Sequence, residues 1–101
     1  MPLLMIRYQV AEEGVEHVMR AARAAFEALE AQRPSGIRYA YYRRAGTPEL
    51  IALLELDEGV ENPLPAIPAA RELQATVAKW VVGEPPTPQP VEVLGTYGHQ
   101  R

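Results

Sequence analysis

Three residues of this sequence are candidates for a catalytic or substrate-orienting role: His17, Arg38 and Tyr42. Arg38 and Tyr42 lie in the run IRYAYYRR, which is typical of a β-strand, and they share its parity, so both side chains project to one face. A guanidinium and a phenol on one face would bind and orient an anionic or phenolic ligand. Histidine is the usual general base near neutral pH, but His17 lies almost opposite the apolar stripe of its helix, which predicts a solvent-facing side chain without a partner. These three residues are candidates, and no catalytic residue is assigned.

Aromatic residues indicate where a ligand would bind. Tyr8, Tyr39 and Trp80 would line a pocket suited to a flat molecule. In the alternative interpretation the tyrosines are core aromatics with bonded hydroxyls, and Trp80 is a packing anchor. With the guanidinium of Arg38 added, the predicted ligand-binding set is Tyr8, Tyr39, Arg38 and Trp80.

Charged residues recur on one predicted face of the sheet. Arg7, Arg38, Glu55 and Glu92 fall on different strands but on the same inferred face. They form either a charged pocket for an anionic or phenolic ligand or ion pairs that fix the register of the strands, because charges removed from water need partners. The sequence leaves both interpretations open.

Composition excludes several classes of function. The 101 residues contain no cysteine, which excludes a disulfide framework, a thiolate nucleophile and sulfur ligands. Two distant histidines, His17 and His99, do not assemble a metal site, and no glycine-rich phosphate loop follows a strand. A net charge of -3 offers no basic face for nucleic acid. We therefore predict no metal, no cofactor and no nucleic-acid partner.

The apolar segments are short. The opening run MPLLMIRYQV has no basic segment before it and no small-residue cleavage site behind it, so it predicts a buried strand rather than a signal peptide. No apolar run approaches the roughly 20 residues that span a bilayer. We expect a cytoplasmic protein without a membrane partner, and the length indicates one domain over residues 1–101.

Hydrophobic periodicity predicts six regular elements that would position these side chains. Period 2 indicates strands, period 3.6 indicates helices, and proline and glycine mark the boundaries. Gly83 is expected to cap the second helix, a stiff polyproline-type crossover is expected over 83–90, and residues 98–101 are expected to form a frayed tail. The elements are strands at 3–10, 37–44, 50–57 and 91–97, and helices at 15–32 and about 69–82.

The order strand, helix, strand, strand, helix, strand defines the topology. Two right-handed crossovers place the last strand beside the first and the third strand on the other side of the first. The prediction is an α+β, ferredoxin-like βαββαβ sandwich with an antiparallel sheet in the order 4-1-3-2. Both helices then cover one face of the sheet and leave the other bare.

The bare face is predicted to be too apolar to remain in water. A monomer rarely exposes an apolar patch of several hundred Å², and pairing two sheets through a two-fold axis would bury it. We therefore expect a homodimer that forms through the sheet faces. The predicted bare-face residues are Leu3, Met5, Arg7, Gln9, Arg38, Ala40, Tyr42, Ile51, Leu53, Glu55, Glu92, Leu94 and Thr96.

Sequence features also suggest a family. The strand order, the IRYAYYRR strand after Pro-Ser-Gly, the LELDEG-x-x-NPLP connection and the V-x-V-L-G-x-Y ending resemble the dimeric α/β-barrel superfamily. Within it they are most similar to small members grouped with antibiotic-biosynthesis-monooxygenase-like proteins. The resemblance implies a homodimer whose facing sheets form a barrel, with a pocket in each subunit between sheet and helices.

The activities that the resemblance implies are diverse. Characterised relatives oxidise phenolic polyketides without metal or flavin, degrade haem or isomerise lactones. The haem-degrading pattern calls for an Asn on the first strand, a His on a helix and a Trp. This sequence offers His17 and Trp80, but its only asparagine, Asn62, lies in the proline-rich connection.

Two functional hypotheses remain, and whether the protein is an enzyme stays open between them. The first is a cofactor-independent monooxygenase that acts on an aromatic or phenolic metabolite bound between helices and sheet. The second is a non-catalytic dimeric module for ligand binding or interaction. A polar, well-formed cavity that reaches solvent would favour the first, and a cavity filled by side chains would favour the second.

Overall fold

The computed structural model describes residues 3–98 and confirms the α+β class and the predicted order of helices and strands. Two short 3₁₀ turns, at Glu12–Gly14 and Leu64–Ala66, precede the two α-helices. No helix in the described range is long and apolar enough to cross a membrane. The regular elements are β1 (Leu3–Val10), α1 (Val15–Gln32), β2 (Ile37–Arg43), β3 (Glu49–Leu56), α2 (Pro68–Trp80), β4 (Val81–Val82) and β5 (Gln89–Val91).

The sheet has the predicted ferredoxin-like order, with one difference at its edge. The strands run β2-β3-β1, and two short strands share the remaining edge of β1. β4 pairs with Gln9 and Val10 at one end, and β5 pairs with Leu3 to Met5 at the other. Every pairing is antiparallel. The predicted fourth strand is therefore split into two pieces.

The predicted last strand, Val91–Tyr97, is wrong in its bounds. Pairing with β1 occurs upstream, at Gln89–Val91, inside the predicted polyproline-type crossover. Val91 pairs with Leu3, where β1 begins, so residues 92–97 continue past the end of their neighbour and have no described strand to pair with. Of the predicted tail 98–101, Gly98 is exposed, and residues 99–101, including His99, lie outside the described residues.

The second helix is shorter than predicted. It ends at Trp80, and the β-branched residues Val81 and Val82 leave it to pair with β1. Gly83 is therefore not the helix cap as predicted. It has a positive φ of 79° and turns the chain after β4.

The core lies between the helices and one face of the sheet, as the strand parity predicts. Tyr8, Val10, Leu50, Ala52 and Leu54 are buried on that face. They pack against both helices, whose buried residues are Val18 and Ala25 of α1 and Ala70, Leu73 and Val77 of α2. Ala25 is fully buried as well. The period of 3.6 predicts a narrower apolar stripe for this helix, made of Val15, Val18, Met19, Ala22, Phe26 and Leu29.

The opposite face of the sheet, called the outer face below, carries Met5, Ile51 and Leu53, all only partly buried. Residues 92–97 do not extend it as a strand. Val93 and Thr96 line a groove together with outer-face residues, whereas Leu94 is 94% exposed. The prediction that Leu94 lies on the face beside Thr96 is therefore wrong, because the segment is not a strand with alternating faces.

Candidate functional site

A cavity of about 420 Å³ lies between the sheet and α2. Its wall is mostly aliphatic, and no charged residue contributes to it. The polar groups are three tyrosine hydroxyls and the Gln74 amide. The lining residues are Ile6, Tyr8, Tyr39, Tyr41, Ala52, Leu73, Gln74, Val77, Ala78, Val81, Pro85, Pro86 and Pro88.

The cavity extends to the point where the edge of the sheet is interrupted. β4 and β5 pair with the two ends of β1, and residues 83–88, GEPPTP, connect them across the gap. Three of these six residues are prolines, which have no N–H to donate to a strand ladder. The segment has no strand pairing with β1, and Pro85, Pro86 and Pro88 line the cavity on this side.

A small residue on the middle strand makes room for the tyrosine cluster. Ala52 of β3 pairs with Ile6 of β1 on one side and with Tyr41 of β2 on the other. Because Ala52 carries only a methyl group, the rings of Tyr8 and Tyr41 approach each other across β3, edge to face, with centroids 6.5 Å apart. Their hydroxyls are hydrogen-bonded to each other.

The third tyrosine completes the cluster from the same strand. Tyr39 contacts Tyr41 edge to face at 6.0 Å. Its other neighbour is Phe26 of α1, which stacks on it at 5.3 Å with an interplanar angle of 22°. The ring of Tyr39 is thus held from two sides.

Burial keeps the tyrosine hydroxyls protonated. Desolvation raises the pKa of Tyr8 to about 12, and it also raises the pKa values of Tyr39 and Tyr41. At neutral pH these groups are hydrogen-bond donors and acceptors rather than bases. In the Tyr8–Tyr41 pair one hydroxyl donates to the other, so the accepting hydroxyl keeps a hydrogen to donate to a third group.

The predicted ligand-binding residues do not all meet in this cavity. Tyr8 and Tyr39 line it, whereas Arg38 lies on the outer face and Trp80 lies on the far side of α2. Tyr41, which the predicted set omits, lines the cavity and bonds to Tyr8. The signal was present in the sequence, since Tyr41 shares the parity of Tyr39 on the same strand.

His17 is exposed, as its helical position predicts, but it has an aromatic partner. Its ring stacks on that of Trp80, with centroids 5.2 Å apart and an interplanar angle of 9°. The ammonium of Lys79 lies 5.5 Å from the Trp80 ring centroid. Trp80 thus acts as a packing anchor between the helices and stays outside the cavity lining.

Arg38 and Tyr42 share a groove of about 570 Å³ on the outer face. The guanidinium is occupied by two carboxylates: Nε donates to Glu55 at 3.0 Å and Nη2 donates to Asp57 at 2.9 Å. Arg38 and Glu55 are direct cross-strand partners, so the ion pair fixes the register of β2 on β3. Tyr42 is half exposed.

The other predicted charges also resolve into ion pairs within the sheet. Arg7 donates to Glu49 through Nη2 at 2.5 Å and through Nε at 3.1 Å. Glu49 is buried, and the bonds from Arg7 hold its pKa below the usual range. Glu92 is exposed beyond the last strand. The ion-pair interpretation therefore describes Arg7 and Arg38, and a charged pocket of four residues is not formed.

Comparison with known proteins identifies the fold. No protein-family model matches the sequence, and no curated protein sequence matches it significantly. Among solved structures, a candidate antibiotic biosynthesis monooxygenase from Nitrosomonas europaea aligns with a TM-score of 0.69 at 19% identity, covering 96% of this chain and 93% of that one. A conserved protein from Methanosarcina mazei Go1 aligns with a TM-score of 0.66 at 20% identity, covering 89% of each chain. An L-rhamnose mutarotase from Formosa agariphila aligns with a TM-score of 0.55 at 13% identity, covering 94% of this chain and 97% of that one.

These likenesses define the fold as ferredoxin-like α+β. In this chain a cavity lies between the sheet and the second helix. The resemblance to antibiotic-biosynthesis-monooxygenase-like proteins is confirmed at the level of the fold. At 20% identity or less, the likeness extends to the fold alone.

Proposed function

We propose that this protein binds a small, flat, uncharged molecule with at least one phenolic or carbonyl oxygen in the cavity between the sheet and α2. The observation that carries the proposal is the hydrogen-bonded Tyr8–Tyr41 pair in a wall that is otherwise almost entirely apolar. The volume of about 420 Å³ falls within the range of small-molecule sites, which combine an apolar lining with a few placed polar groups.

The chemistry of the lining selects the ligand. No charged side chain contributes to the wall, so a permanently charged ligand would lose its hydration without gaining a counter-charge. Aromatic edges and faces from three tyrosines favour a flat ring system. The free hydrogen of the Tyr8–Tyr41 pair supplies a donor for one ligand oxygen.

Oxidation of that ligand by dioxygen is the second candidate function. It is favoured by the likeness in fold to the candidate monooxygenase from Nitrosomonas europaea. Among the described lining residues there is no carboxylate or imidazole to act as a base, so the substrate would have to ionise readily by itself. The neutral tyrosine pair would then stabilise the developing oxyanion by donating a hydrogen bond.

The binding proposal predicts that filling the cavity abolishes binding of a bicyclic phenol. We expect 1-naphthol to bind the wild-type protein in isothermal titration calorimetry. We expect Ala78→Trp to weaken that binding by at least roughly tenfold, because Ala78 lines the cavity and an indole would occupy it. The matched control is Ala75→Trp, on the same helix but on the groove that faces His17, where binding should be unchanged.

Two results would contradict this proposal. One is equal affinity of both tryptophan variants, and the other is no binding of 1-naphthol to the wild type. If binding is found, consumption of dioxygen by the complex separates the two candidate functions, since a pure binding protein returns the ligand unchanged.

We also propose that the protein is a homodimer paired through the outer faces of two sheets. The support is the apolar character of that face, where Met5, Ile51 and Leu53 are only partly buried and Tyr42 is 51% exposed. A two-fold axis would bring the same patch of each subunit together.

The dimer proposal predicts a solution mass of twice 11.2 kDa in light scattering. Leu53→Arg should reduce the mass to that of one chain, because it places a charge at the centre of the interface. Ala24→Arg, on the exposed helical side, is the control and should leave the dimer intact. A single-chain mass for the wild type would refute the dimer.

A further inference from the structure

The hydrogen bonds at the end of β1 show which edge of the strand each residue faces. The Val10 N–H donates to the carbonyl of Pro48, on the β3 side, at 3.1 Å. The next residue, Ala11, donates to the carbonyl of Trp80, on the other side, at 2.9 Å. Because backbone groups alternate between the two edges of an antiparallel strand, the even-numbered residues of β1 face β3 and the odd-numbered ones face β4 and β5.

Arg7 is the one odd-numbered residue that lies between the two short strands. Met5 pairs with Gln89 of β5, and Gln9 pairs with Val82 of β4. Arg7 therefore directs its N–H and C=O at residues 83–88. Within the described residues 3–98, no strand pairing and no backbone bond on that edge satisfies these two groups.

The sequence of residues 83–88 accounts for the unpaired edge at Arg7. A regular ladder would place three residues opposite Ile6, Arg7 and Tyr8, but the chain has six there, 83–88, of which three are prolines. Ile6 and Tyr8, on either side of Arg7, both line the cavity, and so do the three prolines. The unpaired backbone of Arg7 thus lies between two residues of the cavity wall.

We propose that the backbone N–H and C=O of Arg7 form a two-point recognition edge for a ligand with a donor and an acceptor on neighbouring carbon atoms. The missing strand partner would have offered a C=O and an N–H separated by one Cα. A catechol reproduces that spacing, since one hydroxyl accepts from the Arg7 N–H and the adjacent one donates to the Arg7 C=O. This inference rests on the proposed binding function and narrows its ligand class to aromatic vicinal diols and related hydroxy ketones.

Amide hydrogen exchange of the full-length free protein, followed by NMR, tests the geometry without any ligand. The Arg7 amide should exchange at least roughly tenfold faster than those of Ile6 and Tyr8, whose N–H groups bond to β3. Equal protection of all three amides would overturn the inference.

Two isomers of dihydroxynaphthalene test whether the Arg7 backbone recognises adjacent hydroxyls. Two neutral hydrogen bonds are expected to make 2,3-dihydroxynaphthalene bind roughly tenfold more tightly than 2,7-dihydroxynaphthalene, which has the same atoms with its hydroxyls far apart. The titrations are made under nitrogen to prevent oxidation of the diol, and the Arg7 amide should become protected when the 2,3-isomer saturates the protein.

The variant Arg7→Ala tests whether the backbone or the side chain of Arg7 recognises the ligand. It removes the guanidinium that pairs with Glu49 but keeps the N–H and C=O, so the preference for the 2,3-isomer should persist. Loss of the preference in this variant would assign recognition to the guanidinium and overturn the inference. Equal affinity of the isomers would overturn it while leaving the binding function intact, and absence of binding by both isomers would count against both proposals.

Discussion

Replacing Gly14 with alanine should lower the free energy of unfolding by about 1–3 kcal/mol, the usual cost of overfilling a packed site. Gly14 is buried at the start of α1, against the Trp80 ring. A Cβ at this position would lie 2.5 Å from the Cγ and Cδ2 atoms of the indole, far inside contact distance. The ring cannot easily retreat, because His17 stacks on it and the Trp80 carbonyl is fixed by the Ala11 N–H.

The chain offers a matched control for Gly14→Ala. Gly95 has no positive φ and no atom within 4 Å of an added Cβ, so Gly95→Ala should leave stability nearly unchanged. Thermal unfolding followed by circular dichroism should give a Tm for Gly14→Ala that is lower by roughly 4–8 °C for each kcal/mol lost. If both alanine variants melt at the temperature of the wild type, Trp80 is not packed as described.

Which side of each helix and strand is buried could be predicted from the sequence, because the hydrophobic periods of 3.6 residues in helices and 2 residues in strands determine it. Parity placed Tyr8, Leu50 and Leu54 under the helices and Ile51 and Leu53 on the outer face, and the structure agrees. The order β2-β3-β1 followed from connection lengths and right-handed crossovers.

The edge of the sheet could not be predicted in this way. The pattern of residues 91–97 is typical of a strand, but pairing depends on where the neighbouring strand ends, and β1 begins opposite Val91. Likewise, the apolar stripe Ala70, Leu73 and Val77 continues in sequence to Trp80 or Val81 and predicts a helix that runs to Val82. In the structure Val81 and Val82 instead pair with Val10 and Gln9 at the edge of the sheet.

The site was only partly predictable, for a related reason. Tyr8 and Tyr39 share the helix-facing parity and both line the cavity, and their role in ligand binding stays a prediction. The bond between Tyr8 and Tyr41 crosses β3 and depends on the small side chain of Ala52, a contact that the sequence alone does not reveal. The distance between helices, which sets the stacking of His17 on Trp80, is equally invisible in the sequence.

Raising the pH above 10 should destabilise this protein through its buried tyrosines. Burial raises the pKa of Tyr8 from 10.0 to about 12, so between these values the unfolded chain loses its phenolic proton while the folded protein keeps it. The stabilising contribution is therefore complete below pH 10 and is lost as the pH rises through 12. At about 1.36 kcal/mol per pH unit, Tyr8 alone accounts for a loss of roughly 2–3 kcal/mol, and Tyr39 and Tyr41 act in the same direction.

Urea unfolding at intervals from pH 7 to pH 12 measures this loss, and two phenylalanine variants identify its source. Tyr8→Phe should flatten the decline above pH 10, because the variant has no phenol to ionise at that position. Tyr97→Phe, at a fully exposed position outside the strands, should keep the wild-type profile. A stability that stays constant to pH 12, or identical profiles for the two variants, would mean that the hydroxyl pair is not buried. The cavity proposed as the ligand site would then lack the buried hydroxyl pair on which the binding proposal depends.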